Sequence, residues 1–275
     1  MAPVFLLTVD LGNTSCKLRV WAIEPGRPPG LVAGVDRGLH EVHGLELERL
    51  LAPHLTPRAA VMASVAGREV ESLLEAELRA RFGEHWWGTP DAGLAIECLE
   101  PALVGSDRLF AARGALELAR RSCLVLDAGT ALTVDALRVG SSAERPPARF
   151  LGGAIAPGPA LLAAALARGT ARLAQVEPRA QARALGRDTR EALQAGILHG
   201  FRGAAHELCL RVAAEAGLGL ERIVLTGGAR GFLLDPPLFP PGSLELAPDL
   251  VHIGLVAAVR ARALRLSPER SAGSR

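Results

Sequence analysis

One pattern of eighteen residues occurs twice in this chain and restricts the folds open to it. Residues 4–21 read VFLLTVDLGNTSCKLRVW, and residues 122–139 read SCLVLDAGTALTVDALRV. In each, an apolar run leads into Asp-x-Gly, then into Thr-rich polar residues, then into an alternating stretch. Asp10 aligns with Asp127 and Gly12 with Gly129, 117 residues apart. The apolar runs Phe5–Val9 and Leu124–Leu126 read as buried strands. Each ends in a tight turn at the glycine, and the following strand returns antiparallel. A hairpin repeated at this distance predicts two similar α/β lobes, one starting near residue 1 and the other near residue 120.

The rest of the chain fits two such lobes, 1–118 and 119–266. Ala59–Ser64 reads as a short strand, Arg68–Phe82 and Asp107–Arg121 as helices, and Phe150–Ile155 as a strand. Pro157 and Gly158 lead into an Ala-rich helix, Ala160–Arg168. Asp188 to Ala216 is a long helix, with Asp188 as N-cap and Glu191 completing a capping box. Arg222–Leu225 is a strand ending at Gly227-Gly228, and Val251–Leu266 a final helix. Pro, Gly and Ser place loops at Glu24–Gly30, Gly140–Ala148 and Leu234–Gly242. The polar tail 267–275 is expected to be disordered.

Composition narrows the class without naming an activity. Apolar residues make up 49% and charged residues 22%, a globular balance. A net charge of +2 gives no strong pull toward nucleic acid or anionic membrane. Cys16, Cys98, Cys123 and Cys209 form no CxxC pair, so free thiols in a reducing compartment fit best. No stretch approaches the roughly 20 apolar residues of a membrane span. The N-terminus lacks the features of a signal peptide, so a cytoplasmic protein with no nucleic-acid or membrane partner is expected. The seven histidines show no metal-ligand spacing. Trp86-Trp87 reads as packing, and Asp135 as a strand residue facing a cleft or solvent.

Three loops and one helix start point to phosphate chemistry. In Asp10-Leu11-Gly12-Asn13-Thr14-Ser15-Cys16-Lys17, the strand end and glycine let backbone N–H groups approach a phosphate. Asn13, Thr14 and Ser15 add donors, Asp10 can hold Mg²⁺ through water, and Lys17, the only lysine, can balance phosphate charge. Read alone, the segment is equally an ordinary hairpin turn. Asp127-Ala-Gly-Thr-Ala-Leu-Thr133 supplies the second hairpin, and two such hairpins facing each other would clamp a triphosphate. Leu225-Thr-Gly-Gly-Ala-Arg230 leaves a flat backbone surface against which adenine or ribose can lie. In Gly105-Ser106-Asp107-Arg108, Asp107 can accept a proton from an attacking alcohol and Arg108 can bind a carboxylate or phosphoryl group. Asp107 can equally cap the helix that follows.

Together the three loops resemble the actin, hexokinase, Hsp70 and acetate kinase superfamily. Gly105–Arg108, Leu151-Gly-Gly-Ala-Ile-Ala-Pro-Gly158 and Gly186-Arg-Asp-Thr189 further resemble the motifs of the type III pantothenate kinases, in order along residues 4 to about 260. The resemblance implies a duplicated actin-like (ribonuclease H-like) ATPase fold, with two similar lobes around a nucleotide cleft. It implies ATP-dependent phosphorylation of (R)-pantothenate, the first step toward coenzyme A. ATP would be bound by Asp10–Lys17 and Thr130, and pantothenate by Gly105, Ser106, Asp107, Arg108 and Thr189. Asp107 would be the catalytic base, and Asp127 would hold K⁺ or NH₄⁺. A homodimer with its interface in the second lobe is also implied. Ser106 stands where the family most often has Ala, and the chain has no tyrosine. A kinase of the same superfamily acting on a sugar or acyl acid, and a non-catalytic regulatory relative, are the alternatives.

Overall fold

The computed structural model describes residues 2–39, 56–140 and 148–266. The chain forms two compact units. One comprises Met1–Gly93, Gly105–Glu117 and Val251–Arg275, the other Leu94–Val104 and Leu118–Leu250. These units are not contiguous halves: the final helix belongs with the first unit, not with residues 119–250. The tail 267–275 and most of the loop 140–148 lie outside the described residues.

The first unit is built on a four-stranded sheet. Its strands are β1 (Val4–Leu11), β2 (Ser15–Ile23), β3 (Gly30–Gly38) and β4 (Ala59–Ser64), in the order β3-β2-β1-β4. β1 runs antiparallel to β2 and parallel to β4. Nearly every residue of β1 and β4 is buried, which the continuous apolar runs dictate. Leu7, Val9, Leu18, Val20, Met62 and Trp86 form the core with Leu74 and Leu78 of α1 (Arg68–Phe82). Trp86 is therefore packing, as the sequence suggested. α2 (Ser106–Ala119) and α5 (Leu250–Leu264) complete the unit.

The second unit repeats this plan. β6 (Cys123–Ala128), β7 (Ala131–Val139), β8 (Ala148–Pro157) and β9 (Ile223–Thr226) lie in the order β9-β6-β7-β8. β6 runs antiparallel to β7 and parallel to β9, as β1 does to β2 and β4. The duplication visible in eighteen residues thus extends to four strands. Short edge strands β5 (Ala95–Ile96) and β10 (Leu244–Leu246) extend the sheet. α3 (Pro159–Gly169) follows β8, and α4 (Thr189–Glu215) runs for 27 residues. Asp188 is the expected N-cap, accepting from the Glu191 N–H at 2.8 Å; Glu191 reaches back one residue beyond the capping-box partner and accepts from the Arg187 N–H at 2.8 Å. Phe201 of α4 is fully buried against β6 and β7 and meets Phe232 edge to face at 6.1 Å. Burial of that ring contributes roughly 1.5–3 kcal/mol.

Asp135 faces neither a cleft nor solvent. It is 1% exposed, in register with Gly153 of β8. A side chain at Gly153 would meet the Asp135 carboxylate at 2.5 Å, so the glycine gives the carboxylate its space.

A buried polar group also shapes the first unit. Thr8 Oγ1 accepts from Trp21 Nε1 at 2.9 Å, lies 3.3 Å from the Arg19 carbonyl and 2.8 Å from His252 Nδ1. If the hydroxyl proton goes to Arg19, His252 donates from Nδ1, and its Nε2 is left as a lone pair. Among the described residues Nε2 is buried without a partner, and an unpaired acceptor costs less there than an unpaired charged donor. Burial first, then the nearby Arg19 and Lys17 charges, holds the His252 pKa well below 6.5. The unfolded chain therefore binds a proton that the native state refuses, and stability falls as pH drops below about 6.5. Urea unfolding of the wild type between pH 7 and pH 5 is expected to show this loss, by up to about 1.4 kcal/mol per pH unit. His252→Gln is expected to flatten the curve in that window.

Candidate active site

The first phosphate-type turn follows from the end of β1. Asp10 pairs across the hairpin with Lys17, and Lys17 Nζ lies 3.3 Å from Asp10 Oδ2. The Gly12 N–H donates to the Ser15 carbonyl at 2.9 Å and closes the turn. Asn13 and Thr14 are exposed at its tip, with Ser15 half-buried. Leu11 and Cys16 are wholly buried, side chain and backbone alike. Burial, with Asp10 and Asp36 nearby, pushes the Cys16 thiol up to about 12, so it stays a core thiol. The matching turn of the second unit is one residue shorter: Leu11 pairs with Cys16, but Ala128 pairs with Leu132. The first turn therefore offers one more backbone amide.

Gly105–Arg108 lies in the same unit as Asp10. α2 begins at Ser106, so Asp107 sits inside the first turn and does not cap the helix. Its Oδ1 accepts from the Arg108 N–H at 2.8 Å. The carboxylate folds back over Gly105, where an added Cβ would stand 2.5 Å from Oδ1 and 3.2 Å from Val65. The Asp107 pKa is raised above 3.8, chiefly by burial; the Arg108 N–H opposes this, and the Asp10 carboxylate adds to it. Burial and a second carboxylate within electrostatic reach both favour the protonated form of Asp107. The Ser106 hydroxyl bonds both backbone groups of Ser64: it accepts from the Ser64 N–H at 2.9 Å and donates to the Ser64 carbonyl at 2.8 Å. Ser64 had no place in the sequence reading, because a backbone partner leaves no side-chain signature.

In the second unit, three glycines surround the Asp127 turn. The Gly129 N–H donates to the Ala131 carbonyl at 2.9 Å, and the Gly158 N–H to the Thr130 carbonyl at 3.0 Å. A Cβ at Gly158 would collide with the carbonyls of Gly129 and Thr130. A Cβ at Gly227 would collide with the Ala128 carbonyl and the Asp127 carboxylate. Gly227 also has φ +92°, a conformation other residues adopt only under strain. The Leu225–Arg230 segment is thereby pressed onto the Asp127 turn, with the Ala229 N–H donating to the Ala128 carbonyl at 2.7 Å. Thr130 is half-buried beside it. Thr189, the first residue of α4, is exposed. Gly186 lies where any side chain would strike the backbone of Glu191 and Ala192. Among the described residues no group of three or more His, Cys, Asp or Glu side chains could hold a metal ion, and no helix is long and apolar enough to cross a membrane.

The family model for type III pantothenate kinase matches residues 6–211. The chain belongs to the type III pantothenate kinase family. A type III pantothenate kinase of Saccharopolyspora erythraea is 33% identical over 272 residues, covering 91% of this chain and 96% of the relative. One from Nitrosospira multiformis is 33% identical over 261 residues, covering 93% and 91%. The solved activator of the 2-hydroxyisocaproyl-CoA dehydratase from Clostridium difficile, with bound ADPNP, superposes with a TM-score of 0.51 at 11% identity, covering 98% of this chain and all of that one. The fold is the actin-like ATPase fold. The motifs that this pantothenate kinase shares with its family now have steric reasons. Gly153 makes room for Asp135, Gly158 for the turn at Thr130, Gly105 for Asp107, and Gly186 for the start of α4.

Because the folded-state pKa of Asp107 lies above the unfolded value of 3.8, the native state binds more protons in the window above 3.8, and stability falls as pH rises through it. Asp107→Asn keeps an oxygen for the Arg108 amide and removes the charge. Its thermal midpoint is expected to exceed the wild type's at pH 7, with the gain shrinking toward pH 4. Gly227→Ala is expected to lose about 1–3 kcal/mol in chemical denaturation, from the strained φ and the collision with Ala128.

Proposed function

We propose that the protein transfers the γ-phosphoryl group of ATP to the primary hydroxyl of (R)-pantothenate, giving 4'-phosphopantothenate, the first step of coenzyme A biosynthesis. The observation that carries this reading is Asp107: a half-buried carboxylate of raised pKa, in the electrostatic reach of Asp10, in a chain of this family. In this reading Asp107 accepts the hydroxyl proton as the oxygen attacks in line. Its raised pKa brings it nearer to the working pH and makes it a better acceptor. Arg108 binds the substrate carboxylate or the transferring phosphoryl group, and Gly105 and Thr189 add substrate contacts.

The turn from Asp10 to Lys17 takes the phosphates through backbone N–H groups and through Asn13, Thr14 and Ser15, and Thr130 adds a contact to ATP. Asp10 presents a hard oxygen donor, as Mg²⁺ prefers, and would hold the ion through water. When bound, that ion neutralises triphosphate charge. Asp127 fits a monovalent cation: its carboxylate lies near the Ala128 backbone carbonyl, where Gly227 keeps a side chain out. K⁺ or NH₄⁺ held there supplies a fixed positive charge.

The reading includes a cytoplasmic homodimer. The second unit has an apolar groove of about 500 Å³, lined by Ala156, Pro157, Leu162, Leu166, Ile197 and Phe201. Leu161 and Leu210 are exposed on its helices. A second copy would cover this surface.

Coupled ATP-consumption assays with pantothenate, with and without K⁺, test the reading. Wild type is expected to turn over, and Asp107→Asn to lose about 10²–10⁴-fold in kcat. Asp127→Asn is expected to lose the response to K⁺. Near-normal turnover by Asp107→Asn would remove the base. Turnover on a sugar or acetate, with none on pantothenate, would move the protein to another activity of the superfamily.

A further inference from the structure

The outer edge of β4 carries backbone groups that β1 does not use. The Val65 N–H donates to Leu11 of β1, so the N–H and C=O of the preceding residue, Ser64, face the other side. Residues 86–88 cover most of that side: the Trp87 N–H donates to the Ala60 carbonyl at 3.0 Å, and the Met62 N–H to the Gly88 carbonyl at 3.0 Å. At Ser64 this segment no longer reaches. There the Ser106 hydroxyl takes both bonds, accepting from Ser64 N at 2.9 Å and donating to Ser64 O at 2.8 Å. One side chain thus acts as the next residue of a neighbouring strand.

We propose that Ser106 is a positioning residue for Asp107, holding the first turn of α2 against the end of β4. β4 is in register with β1, with Ala63 beside Asp10 and Ser64 beside Leu11. The Ser106 bonds therefore fix the backbone next to Asp107 to the strand next to Asp10. Burial, and after it the Asp10 charge, disfavours the Asp107 carboxylate, and in this chain the two bonds hold the helix end against that penalty. The one proton of the Ser106 hydroxyl is committed to the Ser64 carbonyl, so Ser106 does not donate to a substrate while this bond holds. An alanine there would leave a backbone donor and acceptor of Ser64 without partners.

The inference rests on the kinase reading above and is tested separately from it. Ser106→Ala is expected to lower kcat about 10- to 100-fold, the scale for a small misplacement of a catalytic group. The KM values for ATP and pantothenate are expected to stay within about 2-fold, the sign of an interaction that matters only in the transition state. Ser106→Thr keeps the hydroxyl and is expected to recover most of kcat. Hydrogen exchange of the Ser64 amide is expected to be slow in wild type and Ser106→Thr, and faster in Ser106→Ala. An unchanged kcat in Ser106→Ala overturns the proposal. So does a rise in the pantothenate KM alone, which would make Ser106 a substrate contact. So does a Thr variant no better than Ala. Should Ser106→Ala not fold, Ser106→Thr decides: kcat within about 3-fold of wild type supports the role, and a loss beyond about 10-fold overturns it. Wild type inactive on pantothenate would overturn the function reading, and the Ser64 exchange would still decide whether the two bonds form.

Discussion

Burial, and after it the charge of Asp10 in the same compact unit, makes the Asp107 carboxylate less favourable. Such a pair persists only where surrounding structure holds it. Here the holding structure is a buried sheet: β1 and β4, almost without exposed residues, end side by side and carry Asp10 and Ser64 at their ends. Lys17 offsets part of the Asp10 charge from the neighbouring strand. The stability of the sheet offsets the cost of the site, and the site is what the sheet positions.

The duplication lets one design serve two purposes. Both units present an aspartate at the end of a buried strand, a glycine turn after it, and a parallel strand alongside. Small local differences then separate their surroundings. The longer turn at Gly12–Ser15 offers more amides and hydroxyls. The turn at Asp127 is instead enclosed by Gly129, Gly158 and Gly227, which leave backbone oxygens around a carboxylate. In the proposed reading the first turn takes the phosphates and the second a cation.

The chain was most legible where physics is local. The strands of both hairpins, β4 and α1 could be read because their apolar runs and periodicities are strong. The cap at Asp188 could be read because its pattern is short-range. β3 was missed because its residues are mostly exposed or half-exposed, with no apolar alternation to mark it. β5 and β10, two and three residues long, exist only because longer strands lie beside them. Among the candidate site residues, Asp10, Asp107 and Asp127 were visible as residue types at strand and helix ends. The placement of Asp135 was not, because its burial depends on the absence of a side chain at Gly153. The two bonds of Ser106 were not visible either, since their partner is the backbone of a residue 42 positions away. The joining of the last helix to the first unit is also long-range, carried in part by Gly254 packing on Phe110.

A crystal structure with pantothenate, Mg²⁺, K⁺ and a non-hydrolysable ATP analogue tests the central claim most directly. The account predicts an Asp107 carboxylate oxygen within about 3.2 Å of the primary hydroxyl of pantothenate, with that hydroxyl in line with the γ-phosphorus. A substrate whose hydroxyl lies away from Asp107, or whose carboxylate end occupies that place, would contradict it.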